Sequence, residues 1–336
     1  MFQPKFTLTN QISTNLNEIE RLYGRLEGMK IPQQLLLNLE RTNLFQSAYV
    51  SNSIEGNPLS QAVVTNLLLS DRVPTNRSEK EVVNYFQVLK SLSQRADRPL
   101  NLVEILQIHS ELMTGVDEDI KGKIREEPIV VGNRLPEGAI YVKHNPPFHD
   151  KPTIEQVLRE LTGWVETEEV LPVLKAGIFH HQFVYLHPFK DGNGRTCRLT
   201  TALIFLKYHY LINKYFVLDD YYDIDRSGYS DRLHSADAGD KTQWLEYFTD
   251  GVKYSLQSAL GRVEIGLTKL NFNVRPTTKE QEVLEIVQKY RQMTSADLTK
   301  ELNISRQQAS NLLRSLVKKG YLEKKGSTKN SYYLLK

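Results

Sequence analysis

Twelve consecutive residues, His187-Pro188-Phe189-Lys190-Asp191-Gly192-Asn193-Gly194-Arg195-Thr196-Cys197-Arg198, constrain this chain more than any other stretch. They run directly into Leu199-Thr200-Thr201-Ala202-Leu203-Ile204-Phe205-Leu206-Lys207-Tyr208, an apolar run long enough for a buried helix. Gly192, Asn193 and Gly194 therefore form the turn that opens a helix within a core. Glycines there let backbone N–H groups converge with no Cβ in the way, and the helix start adds partial positive charge. The turn reads as a phosphate cradle. Arg195 and Arg198, three apart on the first turn, share a face and can both reach a polyphosphate. Asp191 sits beside the anion site, where a Mg²⁺ between it and the phosphates makes chemical sense. His187, just ahead of the turn, can serve as general base on an incoming hydroxyl.

The motifs that are missing narrow the chemistry. The chain has no G-x-x-x-x-G-K-[ST] and no G-x-G-x-x-G beside a V-A-I-K, so neither a P-loop nor a protein-kinase site is expected. The reaction these residues suggest is phosphoryl or nucleotidyl transfer, helped by positioning and charge neutralisation. His180, His181 and His187 invite a zinc reading, but no second ligand cluster of zinc type accompanies them, and it is set aside.

The segment from His187 to Arg198 resembles H-x-F-x-[DE]-G-N-G-R-x-x-R, the signature of the Fic (filamentation induced by cyclic AMP) family, at every fixed position. The resemblance implies a mainly α fold, a helical Fic domain with a short β-hairpin flap. In most members this domain moves AMP from ATP to a protein hydroxyl and releases pyrophosphate. It also implies His187 as the base, Asp191 as the Mg²⁺ ligand and Gly192, Asn193 and Gly194 as the cradle. Arg195 and Arg198 would then grip the β- and γ-phosphates, and Phe189 would anchor the loop in the core.

A second motif lies far upstream. In Ser51-Asn52-Ser53-Ile54-Glu55-Gly56-Asn57-Pro58, Ser51 and Glu55 are four apart on a helix that Gly56 and Pro58 would end. A glutamate near a helix C-terminus is disfavoured by the dipole, which hints at a cationic partner. Ser51, Glu55 and Gly56 are similar to the inhibitory [ST]-x-x-x-E-[GN] motif of many Fic proteins, in the N-terminal arrangement called class II. The resemblance implies that Glu55 pairs with Arg198 and keeps it from the γ-phosphate. The expectation is auto-inhibition.

The remaining segments fill in the organisation. Ser13 to Ser53 read as two helices broken near Lys30-Ile31-Pro32, and further amphipathic helices follow from Ser60 to Leu112. The β-prone runs 129–133 and 139–142 flank Arg134-Leu135-Pro136-Glu137-Gly138 and predict a hairpin. By resemblance this is the flap, spanning 129–142, that aligns a segment of a target protein, or of the chain itself, by strand pairing. Tyr229 is similar to a family tyrosine near the adenine, and Ala236 to Asp240 are expected to border the same pocket.

Beyond Pro276 the pattern changes. Val283, Leu284, Val287 and Tyr290 recur at helical spacing, Thr294 and Ser305 are placed to cap two further helices, and two short strands close the chain around a basic turn. This resembles a winged helix-turn-helix with Ser305 to Leu316 as its recognition helix. From Arg275 onward thirteen Lys/Arg stand against six Asp/Glu, a net +7, whereas the rest of the chain is −4. Arg306, Gln307, Gln308, Asn311 and Arg314 suit phosphate and base-edge contacts, so DNA is an expected partner of 275–336, with protein docking as the other use of such a domain.

The expected domains are an N-terminal helical region over 1–100 with the inhibitory helix near 45–56, a Fic core over 101–260, and a small α+β winged helix over 261–336. A single cysteine, Cys197, excludes an internal disulfide, and the N-terminus lacks a signal-peptide pattern, so a cytoplasmic protein without a membrane span is expected. The function expected is an auto-inhibited adenylyltransferase using ATP and Mg²⁺, with homodimers on the pattern of helical Fic domains. Two other readings stay open at this point. One is a Fic enzyme that removes AMP or transfers another nucleotide or phosphate-containing group. The other is a DNA-binding regulator whose Fic domain senses nucleotide.

Overall fold

The computed structural model describes residues 2–70, 72–134, 140–269, 276–290, 292–326 and 331–336. They form two compact units: residues 1–29 with 39–259, and residues 30–38 with 260–336.

The first unit is helical. α1 (Asn10–Gly28) is capped by Thr9, whose side chain accepts from the Ile12 N–H, and it buries Ile12, Leu16, Ile19, Leu22 and Leu26 along one face. α2 (Gln33–Ile54) differs in kind, because its buried residues include Asn43, Ser47, Ser51 and Asn52. Asn43, Ser47 and Ser51 recur every four residues, so this helix turns a polar stripe inward. α3 (Gln61–Leu69) and α4 (Arg77–Ser91) follow, capped by Ser60 and Asn76, and α5 (Leu102–Met113) is capped by Asn101. β1 (Val131–Arg134) and β2 (Ile140–His144) pair antiparallel with Gly132 opposite Val142, and an irregularity after Val131 sets that residue opposite His144. The expected hairpin is present one to two residues later than its β-prone runs. Its tip, 135–139, lies outside the described residues.

α6 (Lys151–Thr167) leads to the central pair, α7 (Pro172–Leu186) and α8 (Asn193–Lys207). Both helices are buried around most of their circumference, which is why neither shows an amphipathic pattern. α9 (Asp219–Ile224), α10 (Arg226–Ser235) and the long α11 (Thr242–Lys269) complete the packing. Trp244 of α11 is fully buried, and its indole N–H donates to the Gly177 carbonyl at 2.7 Å. Phe189 is also fully buried, stacked on His109 with ring centroids 3.7 Å apart. Among the described residues no helix is long and apolar enough to cross a membrane.

The second unit holds α12 (Thr278–Tyr290), α13 (Ser295–Leu302), α14 (Arg306–Lys318) and the antiparallel pair β3 (Leu322–Lys325) and β4 (Tyr332–Leu335). Thr294 with Asp297 and Ser305 with Gln308 form reciprocal capping boxes at α13 and α14. Val283, Val287, Leu298, Ala309, Leu313, Leu316 and Leu322 make its core, whereas Tyr290, grouped with that face in the sequence, is exposed. The turn between the two strands, 327–330, lies outside the described residues.

Glu280 staples this unit. It is 3 % exposed, accepts from Lys319 Nζ at 2.5 Å and Ser315 Oγ at 2.6 Å, and also takes the Thr277 N–H. Burial alone would raise its carboxyl above the ordinary 4.5, but the Lys319, Ser315 and Thr277 bonds outweigh that and hold it at about 2. A depressed folded-state value contributes stability that is complete above pH 4.5 and is lost as pH falls through about 2. Glu280→Gln is therefore expected to destabilise the unit by about 1.5–3 kcal/mol at neutral pH. Denaturant unfolding of both proteins across pH should show the difference shrinking below pH 4.5. A gap independent of pH would mean that the carboxylate charge does not hold the staple.

Candidate active site

His187 ends α7 as its C-cap in the left-handed region, φ 48° and ψ 63°. A non-glycine residue is held there at a cost of about 1–3 kcal/mol, which the surroundings must over-determine. Arg125 does this. Its backbone N–H donates to the Pro188 carbonyl at 3.0 Å, its Nε to the His187 carbonyl at 2.7 Å and its Nη2 to the Leu186 carbonyl at 3.2 Å. A buried guanidinium thus closes the negative end of α7 and fixes the loop that follows.

The His187 ring is half-buried, and its Nδ1 lies 3.1 Å from the Val184 carbonyl. A carbonyl only accepts, so Nδ1 carries the hydrogen and the neutral ring leaves its Nε2 lone pair available. Burial pushes the imidazole down to about 4, against the opposing pull of the Val184 carbonyl and the Glu55 charge. The ring is a base at neutral pH.

Gly192 follows at φ 76°, a conformation that suits glycine, and starts α8. Asn193 is buried and ties the loop to itself: its Oδ1 accepts from the Phe189 N–H at 2.8 Å and its Nδ2 donates to the Phe189 carbonyl at 2.7 Å. At Gly194 a Cβ would run into the Glu55 carboxylate, so that side chain lies directly over the helix start. His109 holds the loop from below. The Gly122 N–H donates to its Nδ1 at 3.0 Å, and its Nε2 therefore donates to the Asp191 carbonyl at 3.0 Å.

The two arginines differ in how they are held. Arg198 is buried, with Nε donating to Ser51 Oγ at 2.6 Å and Nη2 donating to both the Ser51 carbonyl and Glu55 Oε1 at 2.8 Å. Asp219 Oδ1 stands 3.7 Å from its Nε. Burial works against this charge, but Glu55 and the groups around it more than offset that and raise the guanidinium further. Arg195 is equally buried yet loosely paired, 3.4 Å from both Glu81 and Asp191, and its Nε has no hydrogen-bond partner among the described residues. Asp191 accepts from the Gly192 N–H and from Arg77 Nη2, both at 2.6 Å.

Ser51, Glu55, Asp191, Gly194, Arg195 and Arg198 thus come together on one site, while Gly56 (φ 84°) is the exposed residue that turns the chain after α2. Tyr229 lies deeper: it is buried, stacked on Tyr222 at 4.4 Å, and its hydroxyl meets His180 Nε2 at 2.8 Å. Ala236 to Asp240 form a short turn whose Asp237 faces histidines instead of a ligand pocket. Sequence reasoning missed Arg77, Glu81, His109, Arg125 and Asp219, which come from four segments (α4 for the first two, α5, the stretch before β1, and α9) with no local motif. One signal was present: Ser47, on the polar stripe of α2, donates to Asp219 Oδ2 at 2.5 Å.

Residues 99–205 match the Fic/DOC family, and residues 277–334 match a family described as a winged helix DNA-binding domain. The chain is 27% identical over 267 residues to protein adenylyltransferase fic-1 of Caenorhabditis elegans, covering 75% of this chain and 49% of that protein. It thus spans about half the length of the curated relatives it matches. In fold it is similar to a Fic family protein from Desulfovibrio desulfuricans G20, with a TM-score of 0.72, 24% identity, and coverage of 100% of this chain and 98% of that one. It is also similar to Fic-1 from C. elegans, with a TM-score of 0.61, 23% identity, and coverage of 76% and 73%. The chain therefore carries a Fic domain of the Fic/DOC family, followed by a C-terminal winged helix domain.

Proposed function

We propose that this protein is an auto-inhibited adenylyltransferase that moves AMP from ATP to a hydroxyl side chain of a target protein and releases pyrophosphate. One observation carries the reading: a neutral histidine base, a glycine-opened helix start and two buried arginines converge, with Glu55 holding the arginine that a terminal phosphate would need. His187 Nε2 takes the proton of the attacking hydroxyl. The N–H groups at the start of α8 and the charges of Arg195 and Arg198 stabilise the phosphates. Arg195 Nε, buried with no hydrogen-bond partner among the described residues, supports a phosphate-binding role for this arginine.

Asp191 fits a Mg²⁺ ligand, as a hard oxygen donor beside the cradle whose side-chain partners are the half-exposed Arg77 and, at 3.4 Å, Arg195. The ion, when bound with ATP, neutralises phosphate charge. Beside His187, Ile129, Val131, Gly132 and Lys190 line a cleft of about 550 Å³. This supports docking of a target segment along β1 by strand addition, with the hydroxyl presented to His187.

In the C-terminal domain, α14 exposes Arg306, Gln307, Gln308, Asn311 and Arg314 and buries Ala309, Leu313 and Leu316. That division, with the net positive charge of this part of the chain, supports DNA as the partner of the winged helix. The direct test of the proposed activity is incubation of the chain with ATP labelled at the α-phosphate. Label retained on protein is the expected result; nucleotide binding without any label contradicts it.

A further inference from the structure

A cluster of histidines around Asp237 lies outside the site described above. His144 ends β2, His181 belongs to α7, His234 to α10, and Asp237 to the turn Ala236–Ala238. His144 Nδ1 and His234 Nδ1 both point at Asp237 Oδ2, at 2.9 and 3.0 Å, and the two rings stack with centroids 5.3 Å apart. The three donor atoms lie within 4.8 Å of one another.

The hydrogen positions make this convergence informative. His144 Nε2 is 2.7 Å from the Tyr185 carbonyl, which can only accept, so Nε2 carries the hydrogen. In the neutral ring Nδ1 is then a bare lone pair facing a carboxylate oxygen. Two acceptors at that distance need a cation between them, either a proton or a metal ion. An imidazole whose outer N–H donates to a backbone carbonyl is the usual arrangement for a metal ligand.

The other carboxylate oxygen, Oδ1, lies 3.0 Å from His181 Nε2, and Lys241 Nζ lies 2.8 Å from His181 Nδ1. With Lys241 donating to Nδ1, Nε2 donates to Asp237. His181 is thus a positioning residue that aims the carboxylate and leaves Oδ2 for the shared point.

We propose that His144, His234 and Asp237 form a binding site for a divalent zinc-like ion, which fastens the exit strand of the hairpin to the helical core. Two imidazole nitrogens and one carboxylate oxygen suit Zn²⁺, and fit poorly with the all-oxygen preference of Mg²⁺. His234 and Asp237 keep 19% and 23% of their side-chain surface exposed, so water has access for the fourth position. The ligands come from two segments distant in sequence, His144 from one and His234 with Asp237 from the other, and the ion would hold β2 against α10 and, through Tyr185, against the helix that ends at His187.

The test uses the untagged full chain, stripped with a chelator and titrated with Co²⁺ and then Zn²⁺. The expected result is one equivalent of Co²⁺ with the visible absorption of a four-coordinate ion, displaced by Zn²⁺, and a higher Tm with metal bound. Changing an outer partner of a metal ligand typically costs about 10–100-fold in affinity, so loss of a ligand in His234→Ala or Asp237→Asn should cost at least about 100-fold. Neither variant should gain Tm from Zn²⁺, while His187→Ala should retain the ion. Melting each variant without metal separates misfolding from ligand loss, and the wild-type cobalt spectrum needs no variant. Failure of the wild type to bind Co²⁺ or Zn²⁺ stoichiometrically, or unchanged affinity in both variants, would overturn the site and leave a proton as the cation between His144 and Asp237.

Discussion

Glu55→Gly is expected to raise AMP transfer by one to two orders of magnitude. The Arg198 guanidinium is occupied by Ser51 and Glu55 in a buried setting, and no polyphosphate can reach it while Glu55 Oε1 remains at 2.8 Å. The carboxylate also lies over Gly194, so it places negative charge on the part of the helix start that would hold another anion. A charge-assisted hydrogen bond contributes about 1.5–3 kcal/mol, which corresponds to roughly 10- to 100-fold in rate if ATP must displace it. Ser51 stays in Glu55→Gly, so Arg198 keeps its orientation. Glu55→Gln, which keeps the shape and loses the charge, should fall between the two. Transfer rates measured side by side decide the matter, and equal rates in wild type and Glu55→Gly would remove the latch from this account.

In that released background, His187→Ala is expected to lower transfer by about 10²–10⁴-fold, the usual contribution of a positioned general base. ATP affinity should barely change, because the phosphate contacts come from α8 and its arginines and not from the imidazole. The pH profile carries a second signature. An imidazole pushed down to about 4 by burial is neutral from pH 5 upward, so the acid limb of kcat/KM should fall near pH 4 and not near 6.5. Activity is lost as pH drops through that value, since protonation takes the lone pair. A limb near 6.5 would mean that His187 is solvated in the working state or is not the base.

Legibility in the sequence followed the range of the interactions. The 187–198 loop could be read because its chemistry is local: the glycine turn, the helix start and both arginines lie within twelve residues, and the structure builds them as one turn. The capping residues Thr294 and Ser305 were readable for the same reason, each bonding to the N–H three residues ahead. The pairing of Glu55 with Arg198 spans 143 residues, and no spacing rule reaches that far; it entered only through the resemblance of Ser51, Glu55 and Gly56 to a known motif. Arg125 and His109 were invisible for a related reason, since one clamps backbone carbonyls and the other lies beneath Phe189, and neither role demands a pattern around the residue. The polar stripe Asn43, Ser47 and Ser51 was the one long-range clue, because a helix that buries polar residues every four positions must meet polar partners inside. α7 and α8 hide their faces altogether, being buried nearly all round with polar as well as apolar residues inside.

The most direct measurement compares two labels. The Glu55→Gly chain is incubated with Mg²⁺ and ATP carrying label on either the α- or the γ-phosphate, and the protein is then separated from free nucleotide. Transfer of AMP leaves label on protein from the α position only, and His187→Ala in the same background removes it. Label from the γ position would make the reaction phosphate transfer. ATP bound with no label from either position would contradict adenylyl transfer and favour AMP removal or nucleotide sensing.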